Sequence, residues 1–199
     1  MPEAVAILLA AGLSRRMGAQ NKLLLPYQGV SMVRHMAELC AAATGSDVVV
    51  VTGHEADEVA GVLKGVAART VFNPDYAEGQ ATSVACGLRH VAQADAILIA
   101  LGDQPLLTVE DVTALLEAHG AAASGRITIP YRGGDRGNPI VVPWSLRAAL
   151  LQNPKAPGCR RFTRDNPEKV QRFETEAEGF FADIDTPGAY ADLAGQGVS

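Results

Sequence analysis

The segment that follows the first apolar run of the chain combines small residues with cationic side chains. Residues 9–22 read Leu-Ala-Ala-Gly-Leu-Ser-Arg-Arg-Met-Gly-Ala-Gln-Asn-Lys. Small residues let a backbone approach a ligand closely, and Arg16 and Lys22 supply positive charge for an anion. A solvated turn after a buried strand is the alternative interpretation. The concentration of small residues and cations in so short a segment favours an anion-binding loop.

Common phosphate and nucleophile motifs do not fit this segment. A P-loop requires Gly-x-x-x-x-Gly-Lys-Ser/Thr, but here Gly18 is six positions after Gly12 and is followed by Ala19. The dinucleotide fingerprint is also absent. A nucleophile elbow around Ser14 would need glycine at position 16, where the chain has arginine. The loop must therefore hold its anion in another way, and serine hydrolysis is not supported.

A second segment places a carboxylate directly after a buried apolar run. Residues 96–101 are apolar and are followed by Gly-Asp-Gln-Pro, which contains Asp103. A carboxylate at the carboxyl edge of a sheet can hold Mg²⁺ beside substrate phosphates, although Asp103 could instead only cap a turn. If this strand pairs beside the first one, Arg16, Lys22 and Asp103 face one crevice. Cations combined with a metal ligand are what nucleoside triphosphate chemistry needs.

Short continuous apolar runs alternate with amphipathic segments up to about residue 125. Such runs are typical of strands buried on both faces. The predicted strands are residues 4–9, 47–52, 70–72 and 95–101, and the predicted helices are residues 32–43, 56–63 and 80–91. A capping-box pattern of Thr108 and Asp111 predicts a further helix. The fold class is therefore α/β, a doubly wound, mostly parallel sheet with helices on both faces.

The pattern loosens after about residue 125. Strands are predicted at residues 127–130, 139–142 and 169–173, and a short helix at residues 145–151. Residues 131–137 contain three glycines among charged residues, which predicts a mobile loop rather than a linker between domains. All 199 residues are expected to form one domain.

Composition excludes several classes of function. The net charge of −5 disfavours a protein that binds nucleic acid mainly by neutralising phosphates. The apolar runs are far shorter than the ~20 residues needed to cross a bilayer, so no membrane partner is expected. Three cysteines without a Cys-x-x-Cys pair support neither a disulfide framework nor a zinc site. A reducing, cytoplasmic setting is the simplest expectation.

Five short motifs in order along the chain resemble the signature of nucleotidyltransferases with a glycosyltransferase-A-like fold, and specifically of molybdenum cofactor cytidylyltransferases. They are Leu9-Ala10-Ala11-Gly12-x-Ser14-x-Arg16-Met17-Gly18 continued by Asn21-Lys22, then Asn73-Pro74 with Gly79-Gln80-x-x-Ser83, then Gly102-Asp103-Gln104-Pro105, then Arg136-Gly137-Asn138-Pro139, and finally Asp183-Ile184-Asp185-Thr186-Pro187. The first motif is shared by many nucleotidyltransferases, whereas its combination with the third and fifth is more specific.

The resemblance implies transfer of CMP from CTP to the terminal phosphate of molybdopterin, giving molybdopterin cytosine dinucleotide and pyrophosphate. It implies a nucleotide-binding part in residues 1–125 and an acceptor-binding part with a metal aspartate in residues 126–199. Arg16, Lys22 and Asp103 would be catalytic, and Asp103 and Asp185 would coordinate Mg²⁺. The implied nucleotide contacts are Leu9, Ala10, Ala11, Gly12, Arg16, Lys22, Asn73, Gly79, Ser83 and Asp103.

Simpler roles exist for several of these residues. Asp185 precedes Thr186-Pro187 and could cap a terminal helix, while Asn73 before Pro74 could only form a turn. Ser83 could be an ordinary helix residue. The cations Arg160, Arg161 and Arg164 could form a solvated helix face or receive the acceptor's phosphate.

Three functional alternatives stay open at this point. The related guanylyltransferases typically carry two glycines where this chain has Ala11-Gly12, which favours CTP over GTP. A nucleotidyltransferase with another phosphorylated acceptor is possible, as is a non-catalytic molybdenum cofactor carrier. An apo molybdoenzyme of the hydroxylase type is a further expected partner.

Overall fold

The computed structural model describes residues 1–17, 20–122, 124–152 and 159–196. The described strands are β1 (Ala4–Ala10), β2 (Pro26–Tyr27), β3 (Val30–Ser31), β4 (Val48–Thr52), β5 (Ala68–Phe72), β6 (Ala96–Leu101), β7 (Ile127–Arg132), β8 (Asp135–Arg136), β9 (Ile140–Pro143) and β10 (Val170–Glu174). The described helices are α1 (Met32–Thr44), α2 (Ala56–Val62), α3 (Gln80–His90), α4 (Val109–Ala122), α5 (Arg147–Leu151), α6 (Cys159–Asp165) and α7 (Pro187–Gln196).

The central sheet has the strand order β10-β7-β9-β6-β1-β4-β5, with β8 paired to β7. β1 lies parallel to both β4 and β6, so the strand before Asp103 does pair beside the first strand, as a shared crevice required. β4 with β5 and β7 with β10 are also parallel. β9 runs antiparallel to β6 and to β7, so β7 points in the same direction as β6. The mostly parallel α/β sheet is therefore confirmed.

Helices cover both faces of this sheet because its central strands are apolar on both sides. In β1, Leu8 belongs to the core cluster that also contains residues of α1, α2 and α4. The neighbouring Ile7 belongs to the opposite cluster, with residues of α3, α5 and α6. Successive side chains of a strand point to opposite faces, so a continuous apolar run fills two cores at once.

The predicted mobile loop at residues 131–137 is wrong, because most of it forms an ordered β-hairpin. β7 extends through Arg132 and pairs antiparallel with β8. The turn is made by Gly133 and Gly134, with φ of 57° and 101°. Glycine tolerates such left-handed values without steric cost, so glycines that suggested mobility instead form a tight turn.

The remaining elements follow the predictions closely. Helix α4 begins after Thr108, whose hydroxyl accepts from the Asp111 amide while the Asp111 carboxylate accepts from the Thr108 amide, as the capping box predicted. All three cysteines are buried and free. Within the described residues, no helix is long and apolar enough to cross a membrane.

Candidate active site

A cleft of about 520 Å³ opens at the carboxyl ends of β1 and β6. Parallel strands of an open α/β sheet place their ligand site at this edge. The residues lining the cleft are Leu9, Ala11, Gly12, Leu13, Ser14, Arg16, Lys22, Leu23, Tyr76, Ala77, Gly79, Gln80, Ser83, Leu101, Asp103, Asp183 and Asp185. Both loops singled out from the sequence therefore meet in one cavity.

The centre of the cleft is a network of charges around Lys22. Its Nζ atom lies 2.7 Å from Oδ1 of Asp185 and also contacts Oδ2 of Asp103. Nη2 of Arg16 lies 2.7 Å from the second oxygen of Asp185. The side chain of Lys22 is 12% exposed and that of Arg16 is 68% exposed. Lys22 is thus a recessed charge between two carboxylates, whereas Arg16 closes the network from the solvent side.

These neighbours shift the pKa values of Lys22 and Asp185. Burial by itself lowers the pKa of Lys22, but the adjacent Asp103 and Asp185 outweigh it and the pKa ends above its usual value. Burial also opposes ionisation of Asp185, yet Lys22 and Arg16 hold the pKa of its carboxyl below the usual value. Lys22 and Asp185 are therefore both charged at neutral pH, and the cluster is an ion-pair network.

Short-range hydrogen bonds fix the loop that presents Lys22. The Asn21 side chain accepts from the amide of Leu23 at 3.1 Å and caps a short 3₁₀ helix over Lys22–Leu24. The Ser14 hydroxyl accepts from the amide of Lys22 at 3.3 Å. Ser14 itself has a left-handed φ of 47°. Ser14 and Asn21 therefore hold the backbone on either side of the cation, which explains a function for two polar residues of the first motif.

Asp185 reaches the cluster through contacts between its segment and the loop after β6. The amide of Ile184 donates to the carbonyl of Asp103 at 2.9 Å. The Gln104 side chain, fully buried, donates to the carbonyl of Phe180 at 3.2 Å. The helix cap that could have explained Asp185 is instead Thr186, whose hydroxyl accepts from the amide of Ala189. The Asp185 carboxylate is therefore left to face Lys22 and Arg16.

The donor set of this cluster fits a divalent magnesium-like cation. Oδ1 of Asp103 is buried and has no hydrogen-bond partner, although the other oxygen of that carboxylate contacts Lys22. In the part of the chain that the structure describes, no group of three or more His, Cys, Asp or Glu side chains is arranged around one metal position. Mg²⁺ is commonly held by one or two carboxylates together with water and substrate phosphates. Asp103 and Asp185 match that kind of site.

The opposite wall of the cleft comes from the segment between β5 and α3. Tyr76, Gly79 and Ser83 line the cleft there. A Cβ atom at Gly53 would lie 2.5 Å from the ring of Tyr76, so only glycine lets this ring approach the end of β4. This wall carries an aromatic ring and uncharged polar groups, whereas the Lys22 side is charged.

Two of the predicted nucleotide contacts do not line the cleft. Ala10 is buried in the core on the α1 face of the sheet. Asn73 is 3% exposed, and its amide donates to the hydroxyls of Ser83 at 3.0 Å and Thr82 at 2.9 Å. Asn73 therefore orients Ser83, which does line the cleft. The other predicted residues, Leu9, Ala11, Gly12, Arg16, Lys22, Gly79, Ser83, Asp103 and Asp185, all do so.

Sequence reasoning missed Asp183 and Tyr76 as cleft residues. Desolvation in the cleft, followed by repulsion from Asp103 and Asp185, raises the pKa of Asp183 to about 6. The sequence did contain a signal for Asp183. It has the apolar Ile184 between two aspartates, and in an extended segment the residues on either side of a buried one face the same way.

The sequence of this chain matches a known protein family and individual relatives. Residues 6–171 match the family described as MobA-like NTP transferase domain. The chain is 33% identical over 192 residues to nicotine blue oxidoreductase of Paenarthrobacter nicotinovorans, covering 94% of each protein. It is 30% identical over 186 residues to molybdenum cofactor cytidylyltransferase of Escherichia coli, covering 91% of this chain and 90% of that protein.

Comparison with solved structures supports the same fold. A solved nucleotidyl transferase from Methanothermobacter superposes with a TM-score of 0.84 at 23% identity, covering 98% of this chain and 97% of that one. The family match spans most of the chain and includes Arg16, Lys22 and Asp103 of the charged cluster, while Asp185 follows its last residue. The chain therefore belongs to the MobA-like NTP transferase family and is a nucleotidyltransferase with the glycosyltransferase-A-like fold.

Proposed function

We propose that this chain is a Mg²⁺-dependent cytidylyltransferase that transfers CMP from CTP to the terminal phosphate of molybdopterin. The observation that carries the proposal is the recessed Lys22 between Asp103 and Asp185 in a cleft whose α3 side is uncharged. The similarity to the Escherichia coli protein named molybdenum cofactor cytidylyltransferase supports the choice of acceptor. The products would be molybdopterin cytosine dinucleotide and pyrophosphate.

The residues of the cleft suit a reaction that needs positioning and charge neutralisation. The acceptor phosphate oxygen attacks the α-phosphorus of CTP, and the bond to pyrophosphate breaks in line with the attack. Lys22 and Arg16 would exchange their carboxylate partners for phosphate oxygens and stabilise the charge that builds up on the leaving pyrophosphate. No side chain has to act as a nucleophile.

Asp103 and Asp185 are the residues that would hold Mg²⁺. The metal would supply further positive charge beside the triphosphate. The unpartnered oxygen of Asp103 supports this role, because a buried carboxylate oxygen without a hydrogen bond costs free energy unless something binds it. Residues 1–125 would then bind the nucleotide, and residues 126–199 would bind the acceptor and contribute Asp185.

The small residues of the first loop support CTP as the nucleotide. Ala11 and Gly12 line the cleft, and a Cβ atom at Gly12 would meet nothing within 4 Å. The methyl group of Ala11 occupies space that the glycine pair of the guanylyltransferases leaves open. This difference favours a smaller pyrimidine base at this wall.

A second candidate is an oxidoreductase, because one relative carries that kind of name over nearly its full length. Reduction of a substrate by hydride transfer would make no use of Lys22 between two carboxylates. The charged cluster therefore favours nucleotidyl transfer. Oxidation of NADH or NADPH by the purified protein, followed by absorbance, is the observation that would support the second candidate.

The first test is the thermal unfolding of the full chain with CTP, GTP, UTP and ATP, each with and without Mg²⁺. A nucleotide at ~100 times its Kd adds about 2.7 kcal/mol of stability, which raises Tm by roughly 5–10 °C. We expect the largest shift with CTP and Mg²⁺. Pyrophosphate release with molybdopterin as acceptor then measures turnover.

Matched aspartate variants separate metal binding from general effects. Asp103→Asn should lose the Mg²⁺-dependent part of the Tm shift and the turnover, with little change in the stability of the free protein. Asp47→Asn is the control, since Asp47 is exposed and lies before β4, at the opposite edge of the sheet. Full activity of Asp103→Asn would refute the metal assignment, and a shift selective for GTP would refute the choice of CTP.

A further inference from the structure

A second cavity, of about 600 Å³, lies outside the nucleotide cleft. We call it the arginine pocket, after the residues that line it, which are Tyr131, Arg136, Arg160, Arg161, Thr163 and Arg164. Tyr131 and Arg136 come from the hairpin of β7 and β8, and the others from α6. The sequence motif at residues 136–139 and the three cations after residue 159 therefore meet in one place.

The arginine pocket lies at the same edge of the sheet as the nucleotide cleft. β7 points in the same direction as β6, and Tyr131 is near its carboxyl end. Only β9 lies between these two strands, so their axes are roughly 10 Å apart. Helix α6 packs on the same face of the sheet as α3, which carries Ser83. One extended small molecule can therefore reach both cavities.

Backbone contacts connect the two cavities. The amide of Asn138 donates to the carbonyl of Phe180 at 2.9 Å, and that carbonyl also accepts from the buried Gln104 side chain. Gln104 is the neighbour of Asp103. The hairpin that carries Arg136 and the loop that carries Asp103 are therefore held against the same carbonyl group.

The arginine pocket carries positive charge that the described residues do not balance. Asp165 pairs with Arg161 at 3.4 Å and with Arg164 at 3.2 Å. In the described part of the chain, neither Arg136 nor Arg160 forms an ion pair. Among the described ion pairs, the carboxylate of Asp165 is therefore shared by two of the four guanidinium groups of the pocket.

Arg136 is the least solvated of these arginines. Its Nη1 atom donates to the hydroxyl of Thr163 at 2.6 Å, and Thr163 is 4% exposed. Burial lowers the pKa of Arg136, which shows that its charge is kept at a cost. A half-buried guanidinium whose described partner is a neutral hydroxyl retains most of its capacity to bind an anion.

We propose that the arginine pocket binds an anionic group of the acceptor substrate other than the phosphate that reacts in the cleft. The proposal rests on the proposed function for the identity of the acceptor. Guanidinium forks recognise anionic groups with paired acceptor atoms, and the shared edge of the sheet suits a molecule that presents two anionic groups. In molybdopterin the second group is the pair of dithiolene sulfur atoms, which lies beside the phosphate arm. Arg160 and Arg164 are then acceptor-specificity residues.

The test uses the double variant Arg160→Ala/Arg164→Ala of the full chain. Both residues are exposed on α6, and alanine favours a helix, so the variant should fold. Arg126→Ala is the matched control, because Arg126 is an exposed arginine before the opposite end of β7. We expect the KM for molybdopterin to rise about 10-fold or more in the double variant, which is a loss of at least ~1.4 kcal/mol of binding. The KM for CTP and kcat at saturation should change less than about 2-fold.

Failure of this proposal is distinguishable from failure of the proposed function. An unchanged molybdopterin KM in an active double variant overturns the pocket assignment and leaves the function intact. If the parent releases no pyrophosphate with molybdopterin, its binding is measured directly by calorimetry on parent and double variant. Loss of molybdopterin binding in the double variant supports the pocket, and equal binding overturns it.

Inorganic phosphate distinguishes a free anion from the acceptor as the occupant. The parent, the double variant and Arg126→Ala are titrated with phosphate in the presence of CTP and Mg²⁺. Phosphate binding that is lost in the double variant while molybdopterin binding is retained overturns the proposal. Competition between phosphate and molybdopterin in the parent, absent from the double variant, supports it.

Discussion

The nucleotide cleft and the arginine pocket share one edge of the sheet but differ in how their charges are balanced. In the cleft, Lys22 and Arg16 are paired with Asp103 and Asp185 within the protein. In the arginine pocket, Asp165 is the one carboxylate of the described ion pairs, and it pairs on the exposed side of α6. The side chains of Arg161 and Arg164 are 58% and 73% exposed, against 12% for Lys22.

The difference indicates two ways to bind an anion. A cluster of paired cations and carboxylates can accept a metal and a triphosphate together, because the carboxylates can turn to the metal and the cations to the phosphates. An unbalanced cluster gains from an anion alone, and exposure keeps its cost low in the free protein. The first arrangement suits a metal-bound nucleotide, and the second suits an acceptor that brings its own negative charge.

The largest effect is expected from breaking the balanced cluster. Lys22→Ala should lower kcat/KM for nucleotidyl transfer by about 100-fold or more, because it removes the cation nearest the developing charge. The loss should appear mainly in kcat, measured by pyrophosphate release. Lys64→Ala, at an exposed lysine after α2, should retain parental rates. Parental turnover in Lys22→Ala would show that the cluster stabilises the fold and takes no part in the reaction.

An intermediate effect is expected from loosening the connection between the two cavities. A Cβ atom at Gly137 would lie 2.7 Å from the carbonyl oxygen of Phe180, so Gly137→Ala must move a backbone segment. We expect a loss of about 1–3 kcal/mol in the free energy of unfolding, measured with urea. Gly61→Ala in α2 is the control, since its Cβ would meet nothing within 4 Å, and it should be neutral or stabilising. Equal stability of the two variants would mean that the cavities are not rigidly coupled.

The smallest effect concerns the pH dependence of stability through a histidine of α4, which packs on the face of the sheet opposite α6. His119 of α4 is 9% exposed and its Nδ1 lies 2.8 Å from the hydroxyl of Thr128 in β7. Burial lowers the pKa of His119 below 6.5, so the folded protein binds fewer protons there than the unfolded chain. Its contribution to stability is therefore complete above pH 6.5 and is lost as the pH falls from 6.5 through the folded-state pKa.

This pH dependence is measured by urea unfolding between pH 5 and 7.5. His119→Gln should have a shallower decline of stability on acidification than the parent, although His35, whose pKa burial also lowers, leaves part of the slope in place. A slope unaffected by His119→Gln would place the pH sensitivity of the fold elsewhere.

Much of the fold was predictable because it depends on local patterns. The buried runs of β1, β4 and β6 need apolar residues on both faces, and the start of α4 follows from the capping box of Thr108 and Asp111. The hairpin of β7 and β8 was not predictable in the same way. Two adjacent glycines suit both a mobile loop and a tight turn, and the pairing of Tyr131 with Arg136 decided between them.

The sequence by itself determined the residue types needed for the reaction. Arg16, Lys22 and Asp103 were recognisable because small residues and cations followed one buried strand and a carboxylate followed another. Tertiary structure alone decided which side chains contact one another. Asp185 lies 163 residues after Lys22 in the chain, and its carboxylate lies 2.7 Å from the Lys22 Nζ atom. It also placed Asn73 behind Ser83 and gathered Arg136 with the arginines of α6. Local propensities act over a few residues, whereas contacts between distant segments depend on the strand order, here the return of β7 and β9 beside β6.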